Sequence, residues 1–549
     1  MLKLNIKKVA QYYHTIKYLK WTQIYGQIHH RFKKPKVNTA LPPKRRQQVT
    51  SWTASIVKPS QSFSTQTLTF LQQSKNISSN TIWNSTETEK LWLYNLHYFD
   101  FLHSCTAREN YNWCENFIHR WIRENLPAEG CGWEPYPISL RLVNWIKWQM
   151  TTQQIDSEIL HSLAIQTRYL MQRIETHLLG NHILANAKAL LFSGLFFSGK
   201  EANRWFKTGF KIYQQQLVEQ VLSDGGHFEL SPMYHAIILE DLLDMVNLFH
   251  VYDRVVPPFW ITCIKKMISW FKIMCHPDGE MAFFNDTALG VAACLSELEK
   301  YCQRLSLSLP DSSHPQELVY LPASGYCRLQ NNNMVLLTDV AAIGASYQPG
   351  HAHADTLSFE LSLGNQRLLV NSGTSTYAVN HERINQRRSK AHNTLVIDEK
   401  DSSEVWKSFR VARRAKVYDI ITEMMAEKLC LTASHDGYAS VKAYHTRRWI
   451  LKKNSLTIED SVVGSGIHQL DLFFHLHPVI QVQQKHDHGV TLYNASGMLL
   501  ASLETNFPLT VEECTYHPEF NMAIANKKIQ VKRIFQNLPV QINTTITLT

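Results

Sequence analysis

The first 86 residues of this 549-residue chain contain no aspartate or glutamate; the earliest acid is Glu87. Lysine and arginine recur from Lys3 onward, and twelve have accumulated by Arg46. The formal net charge of +10 is therefore unevenly placed. Such a bias suits an anionic partner: a polyuronate, a nucleic acid or an acidic membrane surface. No zinc-finger spacing, RNP motif or helix-turn-helix signal accompanies it, so nucleic acid is not expected. The ten cysteines stand singly between Cys105 and Cys514, with no CxxC pair. That excludes a zinc ribbon and gives no sign of a dense disulfide framework. No apolar run approaches the roughly 20 residues of a membrane span. The N-terminus has charge but no continuous apolar core and no small-residue cleavage site, so no classical signal peptide is expected. A cytoplasmic or envelope-associated protein is favoured, and the periplasm stays open.

What is present reads as globular. Hydrophobic residues make up 44% and charged residues 19%, which is enough apolar surface to build cores. Single cores rarely exceed roughly 250–300 residues, so this length implies at least two. Aromatics reach 11%, with 14 tryptophans. Large cores are the first explanation, and a sugar-binding cleft is the second.

The hydrophobic period divides the chain. Residues 1–36 read as a basic amphipathic helix with Leu4, Val9, Tyr13, Ile16, Leu19, Ile24 and Ile28 recurring among lysines. That stripe either packs on the main body or lies on an anionic membrane as a peripheral contact. Residues 37–90 look like a connector rich in Ser, Thr and Asn. From about 91 to 320 the pattern is helical; one stripe is Leu184, Ala187, Leu191 and Leu195, another Leu239, Leu242, Leu243, Val246 and Phe249. Helices separated by polar and aromatic loops fit an incomplete α/α toroid with a cleft at one rim. From 321 to 549 the period becomes that of strands, as in Leu357, Phe359, Leu361 and Leu363, which suits an antiparallel β-sandwich.

Four constellations could carry chemistry. Gly180-Asn181-His182 precedes a helix, where Asn181 is either a cap or a functional amide. Asp224–Glu229 leads through Ser231 and Pro232 to Tyr234 and His235. A helix dipole there would favour the Tyr234 phenolate; the alternative is a buried tyrosine with a bonded hydroxyl. In His351-Ala352-His353-Ala354-Asp355 an extended strand would put both histidines and the aspartate on one face, to bind one metal or to divide roles. His392, in Lys390–Thr394, is the fourth.

Together these segments resemble the heparinase II/III-like polysaccharide lyases, which include certain alginate lyases. The resemblance runs in order through LYNLHYFDFL (Leu93–Leu102), GWEPYPISLRLVNW (Gly132–Trp145), GNHILANAKAL (Gly180–Leu190), DGGHFELSPMYH, HPDGEMAFFND, HAHADTLSFEL, AHNTLVID and SSEVWKSFRV (Ser402–Val411). It implies the toroid-plus-sandwich fold with a site between the two parts. It implies that Asn181, His182, Tyr234 and His351 are catalytic. Glu229, His235, Trp133, Tyr136 and Arg388 are expected to contact substrate. A structural divalent metal, usually zinc, would be held by His353, Asn371 and His392; no organic cofactor is implied. Asn371 stands where many relatives carry Asp, and its amide is a neutral and weaker ligand.

The implied reaction is β-elimination from a uronate. The uronate carboxylate must be neutralised by Asn181 and a histidine before C5 can lose its proton. Tyr234 and His351 would exchange protons with C5 and O4, leaving a 4,5-unsaturated uronate end. Two other readings exist. A glycoside hydrolase would need a carboxylate pair, a role into which Glu229 with Asp224, or Glu134, could be forced. A non-catalytic glycan-binding or polysaccharide-assembly protein could retain the same scaffold.

Overall fold

The computed structural model describes residues 6–61, 66–153, 156–309 and 316–549. Two short helices come first, α1 (Ile6–Ile16) and α2 (Trp21–Phe32). The single N-terminal helix expected from the sequence is thus broken at Lys17–Lys20, and Leu4 lies outside the described residues. The stretch from 37 to 90 is more than a connector. It wraps the helical body, donating from Arg46 Nε to Leu195 O at 2.8 Å and burying Leu68, Ile77 and Trp83.

The helical body follows: α3 (Lys90–Tyr98), α4 (Tyr111–Glu124), α5 (Pro135–Thr152), α6 (Ser157–Leu170), α7 (Gly180–Phe196), α8 (Lys200–Gln220), α9 (Pro232–Val251), α10 (Pro258–Ile273) and α11 (Leu295–Arg304). It is an incomplete α/α toroid. Proline at the first position starts α5, α9 and α10, where its missing N–H costs nothing. α7 and α9 are buried almost all round, so their apolar residues are not confined to one stripe. Trp83, Trp92, Trp121, Trp145, Trp148, Trp260 and Trp270 are fully buried. Most of the aromatic richness therefore builds core. All ten cysteines are free.

Strands begin at Leu318. A five-stranded antiparallel meander covers Leu318–Leu321, Tyr326–Gln330, Met334–Asp339, Phe359–Leu363 and Gln366–Leu369. An eight-stranded sheet and a four-stranded sheet complete the antiparallel β-sandwich. In the eight-stranded sheet, Ala443–Lys452 alternates buried and partly exposed residues, and its partner Ser455–Gly464 does the same. Trp449, Ile458, Leu472, Phe474 and Val531 share one core. No helix among the described residues is long and apolar enough to cross a membrane.

Candidate active-site cleft

Helix starts aim the polar groups of the cleft. Ser231 caps α9 by accepting from Tyr234 N at 3.2 Å, and its hydroxyl donates to Asp286 O at 2.6 Å. That pins Tyr234 in the first turn. At the start of α7, Gly180 has φ +57°, and a Cβ there would lie 2.6 Å from Glu229 Oε1. Glycine is required twice over, for the backbone and for the carboxylate behind it. Glu229 accepts from Asn181 N at 3.0 Å and Asn181 Nδ2 at 3.3 Å.

These elements open onto a cavity of about 1670 Å³ between toroid and sandwich, lined by Tyr136, Asn181, His182, Tyr234, His351 and Tyr377 among others. The Tyr234 and His351 rings are in close, tilted contact, with centroids 3.9 Å apart and planes 31° from parallel. The Tyr234 hydroxyl is 3.1 Å from that of Tyr377. His182 rests on the Tyr136 ring at 4.5 Å, with Nδ1 3.2 Å from Glu175 Oε1. Burial disfavours a charged His182, but Glu175 outweighs it and raises its pKa above the ordinary histidine value. Burial, with Tyr377 beside it, holds the Tyr234 phenol well above its usual range. The helix dipole therefore does not leave a resting phenolate here; desolvation wins.

Asp286 is the hub behind the cleft. His351 Nδ1 is 2.8 Å from Asp286 Oδ2, and His353 Nε2 is 2.8 Å from Oδ1. Arg383 forks onto both oxygens, with Nη2 at 2.7 Å from Oδ2. Burial opposes charge on Asp286, yet Arg383 and the histidines hold its pKa well below the carboxylate range. An ionised carboxylate only accepts, so both imidazoles donate to it. His351 Nε2 lies 3.6 Å from Glu229 Oε2; in the neutral imidazole this is the nitrogen that carries the lone pair. Asp286, Arg383 and Tyr377 were not singled out from the sequence. Asp286 ends a segment that carried the resemblance, but nothing local marks its partners, which come from distant parts of the chain.

Several expectations are corrected. His351–Asp355 is not a strand; it is a buried loop, and the strand begins at Phe359. The histidines converge because both reach Asp286, while Asp355 accepts instead from Asn285 N at 3.2 Å. Trp133 is core: it is buried, packs on Trp121 and Tyr169, and donates to Asn125 O. His235 is fully buried against Trp270 and held by His227 N and Met267 O. Arg388 pairs with Asp401 at 3.0 Å, away from the cavity wall. Glu229 is buried behind the wall and is not among the residues lining the cavity; its carboxylate accepts from Asn181. Tyr136 does line the cavity.

The implied metal ligands are adjacent. The His353 and His392 rings are 5.3 Å apart. His392 Nδ1 lies 3.1 Å from Asn371 Oδ1. His353 Nδ1 and His392 Nε2 are buried with no hydrogen-bond partner. Each ring's other nitrogen donates its proton, to Asp286 or to Asn371, so each free nitrogen carries a lone pair. That pairing of a free imidazole nitrogen with a bonded one fits a divalent-metal ligand set. Asn371 contributes by orienting His392, and its own Nδ2 is also unpartnered.

Lysines deeper in the cavity are already paired. Lys188 Nζ reaches Asp241 at 2.5 Å and Asp244 at 2.7 Å, and Lys147 reaches Asp244 at 2.5 Å. Among the described residues the floor therefore offers no free cation, whereas His182, Lys407, Arg410 and Arg414 on the cavity wall remain available to an anion.

An incomplete toroid followed by an antiparallel sandwich is the fold of heparinase III. The chain belongs to the heparinase II/III-like family: residues 6–312 match the heparinase II/III N-terminal region and residues 313–546 the heparinase II/III-like C-terminal region. It is 25% identical over 320 residues to a heparin-sulfate lyase of Bacteroides stercoris, covering 54% of this chain and 46% of that protein. It is 24% identical over 343 residues to FtsZ-localized protein C of Caulobacter vibrioides, covering 59% and 57%. The chain thus spans about half the length of these curated relatives. A crystal structure of heparinase III superposes with a TM-score of 0.72 at 17% identity, covering 86% of this chain and 80% of that one.

Proposed function

We propose that the protein is a polysaccharide lyase that cleaves a uronate-containing anionic glycan by β-elimination. The observation that carries this is the Tyr234–His351 ring pair facing the same cavity as Asn181 and His182, the latter with its pKa raised beside Glu175.

His182 and the Asn181 amide hold the uronate carboxylate and spread the charge that develops when C5 is deprotonated. His351, its Nδ1 proton held by Asp286, takes the C5 proton at Nε2. The electron pair forms the C4–C5 double bond, the C4–O4 bond breaks, and O4 receives the Tyr234 proton. The resulting imidazolium and phenolate lie in the same open cavity, and proton exchange with water there restores both side chains. His353 and His392 are proposed to hold a structural divalent ion. Bound there, it would tie together the loops that carry them and supply no group to the elimination.

The carboxylates that the hydrolase reading would use are engaged elsewhere. Asp224 is engaged by Ser324 N at 2.7 Å and Ala323 N at 3.0 Å, Glu229 by Asn181, and Glu134 by Tyr94 and by Lys90 at 2.9 Å. A panel of uronate polysaccharides, including heparan-type chains, alginate and bacterial exopolysaccharides, tests the proposal by ultraviolet absorbance. Elimination creates a conjugated chromophore. Depolymerisation without absorbance would indicate hydrolysis, and binding without depolymerisation would indicate a glycan-binding protein.

A further inference from the structure

Helix α2 is inside out. A surface helix ordinarily turns its apolar stripe to the core. Here Trp21, Tyr25, Ile28 and Phe32, spaced by four, three and four residues, are 84%, 70%, 55% and 76% exposed. The face against the protein is polar and small. Gln23 donates to Tyr347 O at 3.3 Å. A Cβ at Gly26 would lie 3.0 Å from His177 N, and the His30 ring packs on His177 at 4.2 Å. Arg173 fastens the end of the helix by donating to His30 O at 3.0 Å. The helix is thus fixed by its polar side, with its large apolar side chains outward.

The flank is basic. Arg31, Lys33, Lys34 and Lys36 are exposed and form no ion pair among the described residues. No acid occurs within the first 86 residues to neutralise them.

We infer that α2 is an interfacial anchor that docks the protein on an anionic membrane surface. Aromatic and aliphatic side chains enter the headgroup boundary, where Trp and Tyr are favoured, and the bases meet anionic lipid. Charge selects this occupant. A second copy docking face to face would bring one basic flank against another. A soluble polyanion would satisfy the bases but not Ile28 and Phe32, which offer it no polar contact. α2 also lines the mouth of the cavity through Ile24 and Ile28, so docking holds the cleft beside the lipid surface. This inference does not depend on the lyase reading.

The test is sedimentation of the full chain with phosphatidylcholine vesicles, with and without phosphatidylglycerol, at low salt. The wild type is expected to sediment with the phosphatidylglycerol vesicles and to be partly released by added salt. The combined variant Trp21→Ser, Tyr25→Ser, Phe32→Ser is expected to lose at least about tenfold in partitioning, with unchanged melting temperature and elution volume. Any of four results overturns the inference. The wild type does not bind the anionic vesicles; the variant binds them as well as the wild type; the variant melts lower, marking the stripe as internal packing; or the wild type elutes as a dimer that the variant dissolves, marking a second copy as the occupant.

Discussion

The hydroxyl of Tyr377 lies 3.1 Å from the hydroxyl of Tyr234. The first comes from the sandwich side of the cleft and the second from the first turn of α9, so the pair exists only when the two parts are docked. Tyr234→Phe keeps the ring and removes the transferable proton. Turnover should fall at least about 10²-fold, the scale of a lost general acid or base, with the thermal melt unchanged. Tyr377→Phe should cost less, chiefly in kcat and not KM, because it leaves the Tyr234 proton in place but removes its partner. Near-normal turnover of Tyr234→Phe on a confirmed substrate would rule out the assigned role.

The charge of His182 sets a pH limit. Its pKa is raised because Glu175 outweighs burial, so the imidazolium persists above the usual histidine range and is lost as pH rises through the raised value. Glu175→Gln removes the largest of the opposing effects and leaves burial opposed only by the weaker pull of Glu229 and Glu134. The alkaline limb of kcat/KM should move to lower pH, with the acid limb little changed. A profile that scales down uniformly without shifting would mean that His182 does not act as the cation.

Asp286 balances the fully buried Arg383. Asp286→Asn leaves that guanidinium without a counter-charge, and breaking one side of a buried pair costs about 3–5 kcal/mol. Urea unfolding should show a loss of that order. A change within about 0.5 kcal/mol, the range of ordinary surface substitutions, would show that Arg383 is neutralised in some other way.

If His353 and His392 hold an ion, purified protein should contain about one equivalent of zinc or another divalent metal by elemental analysis. Chelation should lower the melting temperature, and His392→Ala should lose the metal. Metal-free protein whose melting is unaffected by added zinc would leave His353 Nδ1 and His392 Nε2 as unsatisfied acceptors and rule out the metal site.

The two-part fold was legible because hydrophobic periods are local. The 3.6-residue stripes of Leu184–Leu195 and Leu239–Phe249 became α7 and α9, and strand alternation after about residue 320 became sandwich. That Asn181, His182, Tyr234 and His351 line one cavity follows from segments with unusual glycine, proline and histidine content. What failed were side-chain destinations. Trp133, His235 and Arg388 stand beside those segments in sequence, yet core packing and the Asp401 pair take them away from the cleft.

By itself, then, the sequence determined the architecture, the identity of the polar groups at the helix starts, and the basic character of the N-terminus. Only the tertiary structure decided that Asp286 joins His351 to His353, that Tyr377 meets Tyr234, and which way the α2 stripe faces. The reason is physical. Periodicity and turn chemistry act over a few residues, whereas a buried carboxylate is ionised or not, and an apolar stripe covered or not, according to what distant chain is brought against it.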